Sequence, residues 1–310
     1  MTILEADEQL HTPGSGRAWQ ESYYFNWSDP VHDTFGLARI GLRPNEGRAD
    51  ALILTIRAGK PEFLYPAVGL RCPEWSSIDP RRGVRIGGLT FTVEEPLRRH
   101  RLTLDDRMDL VFEAINEPWD YHGSSGESFD SPMAAHHFEQ FGRVRGFTRF
   151  HRRFQAIDGF GERDKSWGER DWGRIEGWNW LTAQLGDDLA FNVLDVFDGR
   201  RRHLAGYVFD GRNHAVRDYT VDWTWGARAH VPAAARIHIE HEGGVLDLSA
   251  TAEGRFPLYK GRTWIEEVKA RFVAGERVGH GVLEHVHRPS LAHAARHMPE
   301  ILHGLSKALR

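Results

Sequence analysis

The chain has 310 residues, 40% apolar and 11% aromatic, with 40 Lys and Arg against 44 Asp and Glu for a net charge of −4. That length and balance describe a soluble globular protein able to bury a sizeable core, as one large domain or two of roughly 150 residues. They argue against a nucleic-acid binder, since the short run Arg98, Arg99, His100, Arg101 is matched by Asp105, Asp106 and Asp109.

No apolar window reaches the about 18 residues that a membrane-spanning helix needs. The N-terminal string MTILEADEQLHTPGSGR is acidic where a signal peptide is basic and then apolar, so the cytoplasm is the expected compartment. One cysteine, Cys72, rules out an internal disulfide framework and a Cys-based zinc cluster. The composition is unusual in one respect, 11 Trp and 17 Phe beside 32 Gly and 4 Met, which suits β-structure in which broad rings cover a pleated surface and glycine makes turns and bulges.

In chain order, residues 1–18 are polar and glycine-bearing and predict a flexible arm. Short runs with partial period-two alternation follow at 34–42, 51–57, 84–86, 89–93 and 108–114, each bounded by Gly, Pro, Asn or Asp, and read as strands. Residues 115–137 form a polar loop long enough to be functional, with His122, His136 and His137 beside it. Strands resume at 143–150, 178–185, 189–197, 202–209, 235–241, 245–248 and 264–272, with hairpin turns at Asp198-Gly199 and Asp210-Gly211. From Ser290 onward, Leu291, Ala294, Ala295, Met298, Ile301, Leu302, Leu305 and Leu309 fall at helical spacing and predict a terminal helix over 290–309. Closely spaced strands without intervening amphipathic helices predict an all-β antiparallel sandwich or barrel, and the similar strand density on both sides puts a division near 150–160.

The densest segment is DGFGERDKSWGERDWGRIEGWNW, Asp158 to Trp180, with Arg163-Asp164 and Arg170-Asp171 as repeated doublets among Trp167, Trp172, Trp178 and Trp180. Charges set among tryptophans suggest buried Arg–Asp pairs whose desolvation can move a carboxyl pKa; the alternative is that Arg163 and Arg170 are architectural clamps. Further on, period two puts Phe191, Val193, Asp195 and Phe197 on one strand face, a single carboxyl among apolar neighbours. If that face lines a cavity, burial keeps Asp195 protonated and makes it an acid; if it points outward, Asp195 is solvated. A second aromatic and acidic cluster combines Tyr219, Trp223 and Trp225 on one face with Asp222 beside them. Such rings serve equally for core packing, for an apolar ligand or for stabilising a cation.

The pattern G-x-G-x-R-D-x-S-W-G-x-R-D-W, Gly159 to Trp172, followed by Trp178-x-Trp180, resembles the signature of the double-lipocalin superfamily that includes the carotenoid 1,2-hydratases (hydroxyneurosporene synthases). The similarity is greatest to a terpenoid hydratase- or cyclase-like branch that shares RDxSWGxRDW. The resemblance implies two consecutive lipocalin-like antiparallel β-barrels, here 1–158 and 159–310 with a junction motif at 159–180. It also implies cofactor-independent acid chemistry on an isoprenoid double bond. Where the hydratases carry His after the motif Asp, this chain has Lys165, which puts an imidazole relay in doubt while Asp164 and Trp167 are retained. The acid proposed in those hydratases lies on a later strand, and counting on from Trp167 reaches the strand of Asp195.

The residues expected to carry chemistry are therefore Asp195, Asp164, Asp171, Asp222 and Lys165. Those expected to line the substrate site are Trp167, Trp172, Trp180, Phe191, Phe197, Tyr219, Trp223 and Trp225. The substrate is expected to be a small apolar, terpenoid-like alkene or allylic alcohol, turned over without a cofactor; homo-oligomer formation is left open. Two other classes compete: a non-catalytic lipocalin-like carrier and, more weakly, a metal-dependent enzyme. His285 and His287 share a strand face beside Glu284, and His238, Glu240 and Glu242 share a parity that His241 does not; two-His strand pairs also arise by chance in a chain with 18 His, and without a third spaced ligand no metal site is assigned. A nucleophile elbow, a Walker loop, an H-E-x-x-H helix and a dinucleotide fingerprint are all missing.

Overall fold

The computed structural model describes residues 2–122, 133–228, 230–260 and 263–290, with Ala295, Met298, Pro299 and Leu302 in helical conformation. The rest of the expected terminal helix and the middle of the 115–137 loop lie outside the described residues. The fold is all-β, as predicted, in two antiparallel barrels.

The first sheet contains β1 (Gln20–Asp29), β2 (Thr34–Arg43), β3 (Arg48–Arg57), β4 (Lys60–Arg71), β5 (Val84–Ile86), β6 (Leu89–Glu95), β7 (Arg99–Leu104), β8 (Met108–Ala114), β9 (Trp119–Asp120), β10 (His136–Phe150) and β11 (Arg153–Gly168). Its spatial order is β4-β3-β2-β1-β11-β10-β8-β7-β6-β5, with β9 on the side of β10. Alternation makes these strands curl around one core: Leu89, Phe91 and Val93 of β6 and Met108, Leu110 and Phe112 of β8 all point inward. The two edges approach without pairing, and Tyr65 of β4 accepts a hydrogen bond from the Gly88 N–H beyond β5 at 2.7 Å, so the barrel is nearly closed.

The second unit is a closed barrel of β12 (Gly177–Gln184), β13 (Ala190–Phe197), β14 (Arg202–Phe209), β15 (Asn213–Trp225), β16 (Pro232–His241), β17 (Gly244–Lys260), β18 (Thr263–Ala274) and β19 (Arg277–His287), with β19 pairing back onto β12. The predicted turns stand at Gly199 (φ 77°) and Gly211 (φ 102°), where a left-handed conformation favours glycine. Leu181, Phe191, Val193, Ile237, Phe272 and Leu283 fill its interior. No helix of the described residues is long and apolar enough to cross a membrane.

Two sequence expectations are corrected here. The division falls after β11, within 169–176, because β11 is paired along both edges in the first sheet and cannot belong to the second. The N-terminal arm is docked rather than free: Glu5–Glu8 form a 3-10 turn, and Glu8 is fully buried against Arg163 and His100.

The barrels meet along a shared apolar layer that includes Phe35, Leu54, Phe141, Trp178, Trp180, Leu194, Tyr207 and Val286. At one end the backbones nearly touch, and a Cβ on Gly254 would lie 2.9 Å from the Gly59 Cα, so glycine is required there. Close by, Lys269 of β18 is buried and pairs with Asp33 of the β1–β2 turn and with Glu253 (3.0 Å), tying the two units by charge.

Candidate active site

Strand β11 positions the site, because its alternate residues face two different environments. Arg163, Lys165 and Trp167 point toward the N-terminal segment. Arg163 donates to Glu8 (2.7 Å) and to Gln140 (3.0 Å), while Lys165 pairs with Glu21 (2.7 Å) and donates to the Gln9 carbonyl (2.7 Å). Burial alone would raise the Glu8 carboxyl, but Arg163, His100 and Lys165 together hold it well below the ordinary carboxylate range. Glu21 behaves likewise: Lys165 and His11 outweigh its burial and lower it. Every buried charge on this face has an opposite charge in contact.

Glu162 and Asp164 point the other way, toward the second barrel. The register places Glu139 of β10 beside Asp164, and period two adds His137 to the same face. His137, Glu139 and Asp164 meet Trp178 and Trp180 of β12, Leu194 of β13 and Glu284 of β19 around a cavity of about 110 Å³ that Tyr24 and Met133 complete.

The carboxyls here are organised differently. Asn192 reaches across the interface and donates to Glu139 and to Glu162 (2.8 Å), Tyr121 donates to Asn192, and Thr182 donates to Glu162 (2.6 Å). Trp178 Nε1 donates to Glu284. Among the described residues no Lys or Arg pairs with Glu139, Glu162, Glu267 or Glu284. Burial therefore dominates: it pushes the Glu139 carboxyl up to about 8, and it raises Glu162 well above the ordinary range with the help of Glu139. Burial also raises Glu284, and it raises Glu267 well above the ordinary range with Glu284 adding repulsion. His137 is lowered by burial, so a neutral imidazole stands with Nε2 3.1 Å from Glu139 Oε1 and 3.7 Å from Asp164 Oδ2. Three lining residues, Tyr24, His137 and Trp180, carry buried polar atoms (Oη, Nε2 and Nε1) with no hydrogen-bond partner among the described residues. The ligand atoms of His137, Glu139 and Asp164 also lie within 4.8 Å of one another, near enough to hold a cation, although a cation there would have to displace the proton that burial keeps on Glu139.

Of the residues singled out in the sequence, Asp164 and Trp180 line this cavity. Lys165 and Trp167 lie on the opposite face of β11, where Trp167 stacks on His11 at 3.8 Å. Arg163 clamps Glu8 rather than a cavity acid, and Arg170 donates to Ser22 (3.0 Å) and Ser166 (2.8 Å), with Ser166 in turn donating to Asp164 (3.3 Å). Asp171 is exposed and accepts the Gly173 N–H of its own turn, and Asp222 is exposed on the outside of the second barrel. Trp172 is half-buried against Trp178 at its edge.

Asp195, Phe191 and Tyr219 are buried inside the second barrel, away from the cavity. Of the two orientations left open for that face, the inward one holds at Asp195, and this single carboxyl has polar partners. Arg202 Nε (2.8 Å), which the hairpin register of β14 brings alongside, and the Tyr219 hydroxyl of β15 (2.8 Å) occupy its two oxygens. Phe197 (39% exposed), Trp223 and Trp225 (40% exposed) stand toward the same open end.

Sequence reasoning passed over Glu139, Glu162, Glu267 and Tyr24, and read Glu284 only as a companion of His285. Alternation gave no signal for them: Glu139 shares its parity with His137, Phe141 and Arg143, and Glu267 shares its own with Ile265, Lys269 and Arg271.

A family model described as a domain of unknown function (DUF7064) matches residues 4–289. The chain belongs to that family. No curated protein matches the DUF7064 chain significantly. Solved structures share its fold from end to end at low identity. An AttH-designated protein of Nitrosomonas europaea superposes with TM-score 0.62 at 15% identity, over 88% of this chain and 94% of that one. Kievitone hydratase of Nectria haematococca gives 0.62 at 12%, over 92% and 93%, and CghA bound to Sch210972 gives 0.61 at 12%, over 91% and 94%. These likenesses establish the double-barrel fold.

Proposed function

We propose that the cavity between the barrels is the active site of a cofactor-independent acid catalyst. It hydrates, dehydrates, isomerises or cyclises an isoprenoid-like alkene or allylic alcohol through a cationic transition state. The observation that carries this reading is Glu139, a carboxyl raised to about 8, lining a cavity walled by Trp178, Trp180 and Tyr24. An acid that keeps its proton at neutral pH is what alkene or alcohol protonation demands.

In the forward step the Glu139 O–H bond breaks and its proton goes to the alkene carbon, or to the allylic hydroxyl, which leaves as water. The Asn192 carboxamide N–H, already in contact with Glu139, stabilises the carboxylate that forms. The electron-rich faces of Trp178, Trp180 and Tyr24 shield the cation, each ring contributing about 0.5–2 kcal/mol. Water adds to the cation and passes its proton to His137 or Asp164, or else a substrate C–H proton goes directly to one of them. The proton then returns to Glu139 across the 3.1 Å gap from His137. Tyr24 Oη and Trp180 Nε1 are suited to hold a substrate oxygen.

The volume of about 110 Å³ is small against the roughly 300–1,000 Å³ of drug-sized pockets, which suits the reacting end of a substrate rather than a long polyene. A carrier would use the same aromatic walls, but it has no use for buried acids without cationic partners, which cost stability. The name of kievitone hydratase, a structural neighbour, agrees with the hydration chemistry.

The test is incubation of wild type and Glu139→Gln with mono- and sesquiterpenoid alcohols and alkenes in heavy water, read by mass spectrometry. Wild type should incorporate deuterium or convert a member of the panel, and Glu139→Gln should bind it without turnover. Absence of uptake and conversion across the panel would sink the mechanism for that substrate class.

A further inference from the structure

A second cluster lies outside the cavity, at the open end of the second barrel. His285 and His287 alternate along β19 and so face the barrel interior together, as Leu283 does deeper inside. His230, two residues before β16, lies over them: its ring stacks on His287 at 4.2 Å and lies parallel to His285 at 5.7 Å. The third ligand that the sequence spacing did not supply thus comes from another strand connection. Imidazole nitrogens from all three residues lie within 4.8 Å of one another.

Three features go beyond proximity. First, His285 Nδ1 is hydrogen-bonded to Asn179 Oδ1 at 2.8 Å, which makes Nδ1 the protonated nitrogen and leaves the Nε2 lone pair available. That Nε2 is buried and has no hydrogen-bond partner among the described residues. Second, Asn179 is itself oriented by a buried chain: its Nδ2 reaches the Tyr219 hydroxyl (3.5 Å), which donates to Asp195 (2.8 Å), which Arg202 holds (2.8 Å). Metal-binding imidazoles are commonly aligned through such hydrogen bonds from the nitrogen that does not bind the ion. Third, His230 has φ of 63°, the left-handed conformation that non-glycine residues seldom adopt, and that conformation presents its ring to the other two.

We infer that His230, His285 and His287 form a binding site for a borderline divalent transition cation, zinc or cobalt, with the fourth position open at the barrel mouth. Zinc–imidazole bonds of about 2.0–2.1 Å in a tetrahedron separate the nitrogens by roughly 3.3 Å, so the rings close by about 1.5 Å or less on loading, within reach of side-chain rotation. Trp225 and Trp223, 5.0 and 5.9 Å from the His285 ring, wall the site on one side, and His230 is exposed to solvent on the other. The site shares no residue with the cavity between the barrels and is independent of the acid mechanism.

The full-length protein, stripped with a chelator, is titrated with zinc by calorimetry and with cobalt by visible absorption. One tightly held equivalent and the intense visible bands of four-coordinate cobalt are expected. His285→Ala and His287→Ala should each weaken zinc binding by about 100-fold or more, Asn179→Ala by about 10–100-fold, and His137→Ala should leave it unchanged. A measurement on the unaltered chain guards against misfolded variants: zinc should protect His230 from acylation by diethylpyrocarbonate while His238, whose side chain is partly exposed, stays reactive. The inference is overturned by the absence of saturable zinc binding, by binding that survives in both β19 variants or disappears in His137→Ala, or by acylation of His230 that zinc does not slow.

Discussion

The two faces of β11 use buried charge in opposite ways. On the N-terminal face, Glu8 and Glu21 meet Arg163, Lys165 and His100, and the partners outweigh the cost of burial, so the carboxyls are held below their ordinary range. On the cavity face, Glu139 and Glu162 have each other, Asn192 and a neutral imidazole, and burial wins. One set is compensated and fastens an otherwise extended segment to the barrel. The other is uncompensated, a cost that structure alone does not require and that leaves protons available at neutral pH. Position in the strand is the same; the partner supplied from elsewhere in the chain decides the role.

The largest effect that would break this contrast comes from removing the proton donor. Glu139→Gln should lower turnover by about 10²–10⁴-fold with substrate affinity kept, and the wild-type rate should be level below and fall above about pH 8, where Glu139 ionises. A variant with unchanged kcat would remove the cavity face from catalysis. On the other face, Arg163→Met should cost about 3–5 kcal/mol of stability in urea unfolding, because it strands Glu8 in the core. Its turnover per folded molecule should match wild type. If Arg163→Met instead lost activity at full stability, the two faces would not be separable.

Most of the architecture was legible because period two survives in short, well-bounded strands such as β6, β8 and β13. The limits were physical as well. Alternation divides β11 into two faces but says nothing about which one meets the second barrel, so Asp164 and Lys165 received equal weight although they face opposite ways. Glu139 and Glu162 become a site only through the β10–β11 register and through Asn192 from β13, contacts far apart in sequence. Asp195 was read from its own strand, and the Arg202 that occupies it comes from the next one. The docking of residues 3–11 was hidden because a polar segment reads as solvated unless its charges find buried partners, and Glu8 finds Arg163 across 155 positions of chain.

A smaller and more diagnostic effect separates the two faces by pH. The folded state keeps the Glu139 proton up to about 8, whereas the unfolded chain releases it near 4.5. Between those values the folded state therefore binds more protons, and the stability contribution of this group falls as pH rises through the window. Glu8 and Glu21 have the opposite sign: lowered in the folded state, they contribute stability above the ordinary carboxylate range that disappears on acidification. Unfolding free energies measured by urea should show a difference, wild type minus Glu139→Gln, that falls as pH rises from 4.5 to 8, because the variant cannot ionise at this position. An identical slope in both would mean that the cavity carboxyl is ionised throughout.

The smallest expected effect falls on Asp195, the residue to which the family resemblance points most directly. With one oxygen on Arg202 and the other on Tyr219 it has none left to present to a substrate, and it sits inside the second barrel rather than between the two. Asp195→Asn should therefore change kcat by no more than about threefold, under roughly 0.7 kcal/mol in barrier. It should instead loosen Tyr219 and Asn179, and through them the orientation of His285. Paired with Glu139→Gln, it sharpens the comparison into a choice between two acids. If Asp195→Asn abolished deuterium incorporation while Glu139→Gln retained it, the reacting carboxyl would lie in the second barrel, and the uncompensated acids of the cavity face would need another explanation.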